Sequence, residues 1–344
     1  MSPNAPARPK TGKQSFSSQW TQMYPPKPTY TEASVPDLSG KVCIVTGASS
    51  GVGKETARII YSKNGRVYVA ARSEAKAKQA IADIQASAPG SVGSCVFLHL
   101  DLADFDSVKR AAEEFLSKEH RLDVLVNNAA TQALKDADGT NTKTKQGHEV
   151  HLGVNVLAPF LFTQLLTPLI KETASQSTPG SVRVVWVSSM GTETIGELSR
   201  GISQSYVDYW PLMSPLERYG LSKAGNWLHG VEMARRLKDA GVMSMPINPG
   251  HLDSELYREG GTLFKAALKT LALYPTVYGA YVELFAAFSD ELTLKDSGAW
   301  VVPWGRLYPI RSDLMDATKS KEEGGNGHAA EYWDWCTEQV KEFL

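Results

Sequence analysis

Cysteine is scarce in this sequence, and long apolar runs are missing from it. Its 344 residues include three cysteines, Cys43, Cys95 and Cys336, and none has a neighbour at CxxC spacing. Two of them lie in apolar, strand-like runs where a small buried thiol is expected, which favours a reducing, cytoplasmic compartment. The longest apolar candidate, residues 158–170, is broken by polar residues and prolines, so no segment reaches the roughly 20 residues of a membrane span.

The sequence also has no excess of charge of either sign. It contains 36 lysines and arginines against 37 acidic residues, a net charge of -1, which gives no basis for a nucleic-acid or membrane-surface partner. The N-terminal residues 1–36 have no apolar core of the kind found in secretory signals. We therefore expect an arm with little regular structure, laid over the domain by Trp20, Met23 and Tyr24.

Short β-branched runs alternate with helical patterns from Gly40 onward. The runs are nearly continuous in apolar residues, as in parallel strands that are covered on both faces. They occupy residues 41–46, 66–70, 95–100, 122–126, 182–187 and 242–247, with a last strand in 298–305. The alternation predicts an α/β fold, a single doubly wound (Rossmann-type) parallel sheet with helices on both faces.

The helical patterns include residues 54–61, 74–86 and 106–118, the third with Asp104 as its N-cap. No internal repeat and no domain-sized change of composition follows residue 37, so we expect one domain over 37–344. Its C-terminal extension, about 306–344, ends in a helix near 331–343.

Two segments interrupt the alternation, residues 190–216 and 251–274. Each follows a predicted strand and should lie at the carboxyl edge of the sheet, where ligands bind. Long connections of this kind are often lids. Their aromatic and large aliphatic side chains, which argue against disorder, are Tyr206, Tyr209, Trp210, Leu252, Leu256, Tyr257 and Phe264.

A glycine-rich turn connects the first strand to the first helical pattern. Glycines permit a tight turn and bring backbone N–H groups and the positive end of the following helix close to a pyrophosphate. The strand before the turn and the helix after it supply the context that a dinucleotide site requires. The residues predicted to contact the phosphates are Gly47, Ser49, Ser50, Gly51, Val52 and Gly53.

The spacing of this turn, TGxxxGxG, resembles that of the short-chain dehydrogenase/reductase family, and further motifs follow in the family's order. These are Asn127–Ala130 (NNAA), Ser188–Ser189, Tyr219–Lys223 (YGLSK) and Pro249–Gly250. The resemblance covers about residues 38–305 and is greatest to retinol-dehydrogenase-like and fungal members. Ala130 stands where the family usually has glycine, and Ser254 where threonine is common.

The resemblance implies roles for further residues. Asp101 and Leu102 would border the adenine, although a carboxylate at a strand end serves equally to cap the next turn. Asn155 would help to link Lys223 to solvent. The remaining cofactor contacts implied are Asn128, Ala129, Ala130, Pro249, Gly250 and Leu252. The resemblance implies a homodimer or homotetramer, the alternative being a monomer in which the N-terminal arm and the C-terminal extension cover the assembly surfaces.

The end of the second strand indicates which nicotinamide cofactor is bound. NAD-binding sheets usually carry an acidic residue there to hold the ribose 2′-hydroxyl. This sequence has Ala70-Ala71-Arg72 instead. Arginine makes paired hydrogen bonds to a phosphate, so NADP(H) is favoured, the alternative being an ordinary solvent-exposed arginine.

Tyr219 and Lys223 are four residues apart in the helical pattern of 215–237, which places both on one helix face. A nearby ammonium and a positive nicotinamide ring favour the phenolate, so Tyr219 serves as catalytic acid or base. Ser189 would hydrogen-bond the substrate oxygen, and Ser188 would make backbone contacts. By resemblance, Lys223 also holds the nicotinamide ribose, which makes Tyr219 and Lys223 cofactor contacts as well.

These features predict an NADP(H)-dependent oxidoreductase that acts on a bulky apolar carbonyl or alcohol, specifically a fungal-type secondary-metabolite ketoreductase. A retinoid- or steroid-like alcohol is the alternative substrate. A nonredox dehydratase or cyclase on the same scaffold, or a cofactor sensor without chemistry, are the competing classes. His148 and His151 have no surrounding ligand set, so we predict no metal site.

Overall fold

Parallel β-strands form the centre of the fold. A computed structural model describes residues 8–132, 143–253 and 273–344. Within these ranges one sheet contains β1 (Val42–Thr46), β2 (Arg66–Ala71), β3 (Ser94–His99), β4 (Val124–Asn127), β5 (Val182–Val187), β6 (Val242–Ile247), β7 (Val301–Val302) and β8 (Arg306–Leu307). Their order is 3-2-1-4-5-6-7-8, and only β7 and β8 pair antiparallel among them. The predicted doubly wound α/β fold is confirmed.

The central strand β1 is buried along its whole length and pairs with β2 on one side and β4 on the other. Ile44, for example, lies opposite Tyr68 and Leu125. The strand order reverses between β1 and β4, and ligands of such sheets bind in the crevice at the carboxyl ends of the strands around this point. The predicted glycine turn follows β1, so it lies at this crevice.

Helices cover both faces of the sheet. In chain order they are α1 (Phe16–Met23), α2 (Gly51–Ser62), α3 (Glu74–Ser87), α4 (Phe105–Lys118), α5 (Val150–Leu152), α6 (Ala158–Ser175), α7 (Gly191–Thr194), α8 (Gln204–Tyr209), α9 (Pro215–Leu237), α10 (Thr276–Phe288), α11 (Met315–Thr318) and α12 (His328–Val340). Between α5 and α6 the chain forms a π-helical turn, Gly153–Leu157. One buried apolar cluster includes residues of α4, α6, α9 and α12, and a second includes residues of α2, α3 and α10.

Local sequence signals account for the helix boundaries. Asp104 caps α4 through a hydrogen bond from the backbone N–H of Asp106, and Phe105, Val108 and Phe115 on its inner face are buried, as predicted. The helix α9 begins with a capping box in which Ser214 and Glu217 exchange hydrogen bonds, followed by proline at the first helical position. It therefore starts where residues 215–237 are predicted to be helical.

The N-terminal arm is more regular than the sequence indicates. Its residues 16–23 form α1, capped by Ser15. Of the three side chains that we expected to attach the arm, Trp20 and Tyr24 are 57% and 42% exposed and Met23 is half-buried. Two polar side chains, Ser18 and Gln22, are buried instead. The expectation of little regular structure and of aromatic attachment is wrong because polar contacts to the domain, described below, hold this helix.

The C-terminal part also differs in detail from the prediction. The last strand is reduced to Val301–Val302, and the chain turns at Pro303–Gly305 into the short antiparallel β8.

The described residues include one helical stretch, Val150–Ser175, that is long and apolar enough to cross a bilayer, but 72% of its most apolar window is buried in the fold. That burial is expected for a core helix.

Candidate active site

The glycine-rich turn has the shape that a dinucleotide phosphate requires. Gly47 and Gly51 adopt φ values of 70° and 57°, which side-chain-bearing residues rarely adopt. Gly53 has no room for a side chain, since a Cβ there would lie 2.5 Å from the Asn128 Nδ2 atom. The helix α2 begins at Gly51 and has no acidic side chain in its first turn, so its N-terminus suits an anion. Ser49, Ser50 and Val52 line the turn and are half-buried.

The end of β4 supports this turn. The Asn128 amide donates to the Thr46 carbonyl oxygen at 2.7 Å, and the Ala129 N–H donates to the Thr46 hydroxyl at 2.9 Å. Asn128, Ala129 and Ala130 are half-buried beside the turn, but the Asn128 side chain is engaged with the protein backbone. Its contribution visible in the structure is therefore to fix the turn.

The two residues predicted to contact the adenosine end follow β2 and β3. The Gly47 N–H donates to the Ala70 carbonyl oxygen at 2.8 Å, so the glycine turn begins beside the end of β2, two residues before the exposed Arg72. Asp101 accepts a hydrogen bond from the Ala103 N–H at 3.0 Å. Its carboxylate thus caps the turn before α4, and the neighbouring Leu102 is buried.

Tyr219, Lys223 and Ser189 meet at the carboxyl end of β5. The Lys223 Nζ atom lies 5.7 Å from the centre of the Tyr219 ring and donates to the Val187 carbonyl oxygen at 2.9 Å. Ser189 accepts a hydrogen bond from the Gly191 N–H at 3.1 Å, which uses an oxygen lone pair and not the hydroxyl hydrogen. Ser188 is buried and donates to the Lys223 carbonyl oxygen at 2.6 Å, the backbone contact expected of it.

The Lys223 ammonium is almost completely enclosed. Burial lowers the pKa of Lys223 to about 7, and the charge of Glu283 opposes this shift. A lysine in this state exchanges its proton near neutral pH. Such a group is suited to a proton-transfer site, and perturbed ionisable groups are enriched in active sites.

Asn155 lies in the π-helical turn and is fully buried. Its side chain accepts from the Thr131 N–H at 2.8 Å and donates to the Ser222 hydroxyl at 2.9 Å. Ser222 in turn donates to the Tyr219 carbonyl oxygen. Asn155 therefore connects the chain after β4 to the segment of α9 that carries Tyr219 and Lys223, and π-helical turns often occur at functional sites.

The Pro249–Gly250 turn follows β6 and adjoins the glycine turn. Gly250 has a φ of 94° and lies against Trp304. Leu252 is buried, and both it and Val52 of the glycine turn approach Gly279 of α10, whose Cβ would lie 2.3 Å from a Leu252 methyl carbon. The structure thus brings these two predicted cofactor contacts to one place.

A buried network around Glu149, not predicted from the sequence, adjoins Tyr219. Glu149 accepts hydrogen bonds from Trp210 and Arg218 and pairs with His151 Nδ1 at 2.7 Å. The His151 ring packs edge-on against the Tyr219 ring. Burial opposes ionisation of Glu149, but these hydrogen bonds dominate and lower its pKa. The network joins the first interrupting segment to the start of α9 and fixes the tyrosine's surroundings.

Glu283 is a fully buried carboxyl group that sequence patterns did not reveal. It lies on α10, accepts a hydrogen bond from Thr56 of α2 at 2.6 Å, and burial raises its pKa to about 8. Only its position in an apolar helix, sequence VELFAAF, marks it as unusual.

The two interrupting segments are described to different extents. Residues 190–216 contain α7 and α8, and Tyr206 and Trp210 within them are buried in the core. Ser254, Leu256, Tyr257 and Phe264 of the second segment lie outside the described residues.

No cluster of three or more metal-ligating side chains occurs among the residues that the structure describes.

The chain is similar to known proteins over most of its length. Residues 41–199 match the family described as short chain dehydrogenase. The chain is similar to the short-chain dehydrogenase/reductase bet4 of Neocamarosporium betae, with 66% identity over 99% of this chain and 98% of that protein. It is 68% identical to the short-chain dehydrogenase/reductase sthC of Phaeosphaeria nodorum over 85% of this chain and 93% of that one. Among solved structures, the RhlG/NADP active-site complex of Pseudomonas aeruginosa matches with a TM-score of 0.59 and 23% identity, covering 75% and 94% of the two chains.

Proposed function

The chain belongs to the short-chain dehydrogenase/reductase family, and from that premise we propose that it is an NADP(H)-dependent oxidoreductase acting on a bulky apolar carbonyl or alcohol. The observation that supports this most strongly is the meeting of Tyr219, Lys223 and Ser189 at the sheet edge that also carries the glycine turn. A proton donor, a buried amine and a phosphate-binding turn at one edge suit hydride transfer coupled to proton transfer.

In the direction of reduction, a substrate carbonyl oxygen would lie between the Ser189 hydroxyl and the Tyr219 phenol. Ser189 donates a hydrogen bond that orients the oxygen, and Tyr219 transfers its proton to that oxygen as negative charge develops. The Lys223 ammonium, whose Nζ atom lies 5.7 Å from the centre of the Tyr219 ring, stabilises the phenolate that remains. A nicotinamide cofactor held by the glycine turn would supply the hydride that the carbonyl carbon receives. Oxidation of an alcohol reverses each step.

The glycine turn, the end of β4 and the Pro249–Gly250 turn would hold the cofactor. The preference for NADP(H) is proposed from Arg72, because no carboxylate stands at the end of β2 and an exposed guanidinium suits a 2′-phosphate. The catalytic role of Asn155 is proposed from its link to Ser222 and Tyr219.

The substrate class is proposed from the sequences of the two interrupting segments, which carry more aromatic and aliphatic residues than charged ones near their centres. A fungal-type secondary-metabolite ketone fits the apolar composition of residues 190–216 and 251–274, as does a retinoid- or steroid-like alcohol. Two highly similar relatives are short-chain dehydrogenase/reductases of Neocamarosporium betae and Phaeosphaeria nodorum.

Cys43, Cys95 and Cys336 form no disulfide, consistent with the proposed cytoplasmic location. We further propose a homodimer or homotetramer.

The test is a screen of bulky ketones, aldehydes and alcohols with NADPH/NADP⁺ and NADH/NAD⁺ in parallel. We expect stoichiometric oxidation of NADPH with a bulky carbonyl and at least tenfold lower kcat/KM with NADH. Turnover only of small polar acids would contradict the substrate class. Conversion of a substrate with neither oxidation nor reduction of the nucleotide would instead identify a nonredox enzyme.

A further inference from the structure

The inner face of α1 is polar, which is unusual for a helix that docks on a domain. Gln14, just before the helix, and Ser18 and Gln22 within it are at most 9% exposed. The outer face carries the exposed side chains of Phe16 and Trp20. An arm that served only as a cover would bury its aromatic side chains, because apolar burial is what drives such docking. The arm is therefore held by directional hydrogen bonds.

These hydrogen bonds converge on Glu193 in α7, four residues after Ser189. Gln22 Nε2 donates to Glu193 Oε2 at 2.6 Å, and Gln14 Nε2 donates to the same oxygen at 3.0 Å. From the domain, Trp300 Nε1 donates to Oε2 at 3.2 Å. Glu193 is 1% exposed, and burial raises its pKa against the effect of these donors. A buried carboxyl group depends strongly on such donors.

Gln22 also contacts the second loop of the site. Its Oε1 atom accepts a hydrogen bond from Asn248 Nδ2 at 2.7 Å, and Asn248 Oδ1 accepts from the Gly250 N–H at 3.1 Å. One buried amide of the arm thus connects the loop after β5, which carries Ser189, with the loop after β6, which carries Gly250.

The connection from Glu193 to Ser189 is short. The Thr192 N–H donates to the Ser189 carbonyl oxygen, and the Glu193 N–H donates to that of Met190, both at 3.0 Å. The Thr192 hydroxyl also contacts the Ser188 hydroxyl at 2.7 Å. A shift of Glu193 would therefore move the backbone that presents the Ser189 hydroxyl. A displacement of about 1 Å in such a group is enough to slow a reaction substantially.

We propose that the N-terminal arm is a working part of the active site and that Gln22 is a positioning residue, which holds the Ser189 loop and the Gly250 loop in their catalytic arrangement through Glu193 and Asn248. This inference rests on the proposed function. It assigns the arm a role in turnover beyond that of a covering segment.

The arm has independent attachments, so a single side chain can be changed without releasing it. The Leu198 N–H donates to the Lys10 carbonyl oxygen at 2.9 Å, and the Arg306 guanidinium donates to both the carbonyl oxygen and the hydroxyl of Thr21 at 2.8 Å. These bonds do not involve Gln22. A Gln22→Met variant keeps the length and shape of the side chain and removes its hydrogen bonds to Glu193 and Asn248, together with one to the Ser18 hydroxyl within the arm.

The experiment compares Gln22→Met with Gln19→Met, the same change on the same helix at a half-buried glutamine for which the described residues show no side-chain hydrogen bond. For Gln22→Met we expect kcat to fall at least tenfold, with the NADPH dissociation constant within threefold and the melting temperature within a few degrees of wild type. Gln19→Met should match wild type. Unchanged kcat in Gln22→Met would overturn the inference.

Hydrogen–deuterium exchange gives a readout that does not need activity. Gln22→Met should increase exchange in both residues 189–196 and 246–253, while Gln14→Met, which contacts Glu193 but not Asn248, should increase it in 189–196 only. If neither loop exchanges faster in these variants, the inference is overturned. This holds even if Gln22→Met is too unstable for kinetics, because Gln14→Met still reports on the Ser189 loop. If the wild-type protein is inactive on every carbonyl, the proposed function is refuted. The exchange result then decides by itself whether Gln22 holds the Ser189 loop and the Gly250 loop together.

Discussion

Replacing Gly53 by alanine is the sharpest perturbation of the cofactor turn. In an open helical position this change stabilises a protein by about 1 kcal/mol. At Gly53 the new Cβ would lie 2.5 Å from Asn128 Nδ2 and 2.9 Å from the Gly47 carbonyl oxygen, which is too close for either contact. The Asn128 side chain must then leave its 2.7 Å hydrogen bond to Thr46, or the turn must widen.

Loss of a hydrogen bond with a buried partner costs about 1–3 kcal/mol. If this free energy is lost from the binding of NADPH by the turn, NADPH binds roughly 5- to 150-fold more weakly, since 1.4 kcal/mol corresponds to a factor of ten. The assay is a titration of NADPH fluorescence with Gly53→Ala, with the melting temperature recorded in parallel. The matched control is Gly90→Ala, where a Cβ meets nothing within 4 Å. Wild-type affinity in Gly53→Ala would refute this account of the turn.

Three further changes test the charges at the site. Arg72→Ala should lower kcat/KM for NADPH at least tenfold and kcat/KM for NADH less than twofold, with Arg110→Ala as the control. If the ratio of kcat/KM for NADPH to that for NADH does not change, the proposed contact with the 2′-phosphate is contradicted. Lys223→Met should abolish turnover but raise the melting temperature, most at pH 6 and least at pH 10. The reason is that the folded state, with a lysine pKa of about 7, binds the proton less readily than the unfolded state. A melting temperature below that of wild type at pH 6 would contradict the burial of the amine. Glu283, with its pKa raised to about 8, contributes stability that is fully present below its unfolded pKa and is lost as the pH rises through 8. The free energy of unfolding of Glu283→Gln should therefore increase relative to wild type by up to roughly 2 kcal/mol between pH 6 and pH 9. A difference that does not change with pH would contradict this.

The sheet and the main catalytic group follow from local signals. The strands were predictable because their β-branched runs are continuous and short, and the start of α9 because Ser214, Pro215 and Glu217 specify a helix N-terminus. The Tyr219–Lys223 pair lies on one face simply because four residues make about one helical turn. Neither signal requires knowledge of distant contacts.

The remainder depends on contacts between residues far apart in the chain. Gln22 and Glu193 are separated by 171 positions, and Thr56 and Glu283 by 227, so no local pattern connects them. The polar face of α1 resembled that of a disordered tail, because its partners were not visible in the sequence. For Asp101, the alternative of a turn cap was open from the sequence, and the Ala103 contact shows the carboxylate in that position.

The central claim is that Tyr219 donates the proton beside a buried lysine and a bound nucleotide, and Tyr219→Phe tests it most directly. This change removes one hydroxyl from a half-buried ring and leaves the glycine turn untouched. With the best carbonyl substrate, single-turnover oxidation of bound NADPH should slow at least a thousandfold, while the NADPH dissociation constant stays within twofold of wild type. Turnover near the wild-type rate in that variant would contradict the account.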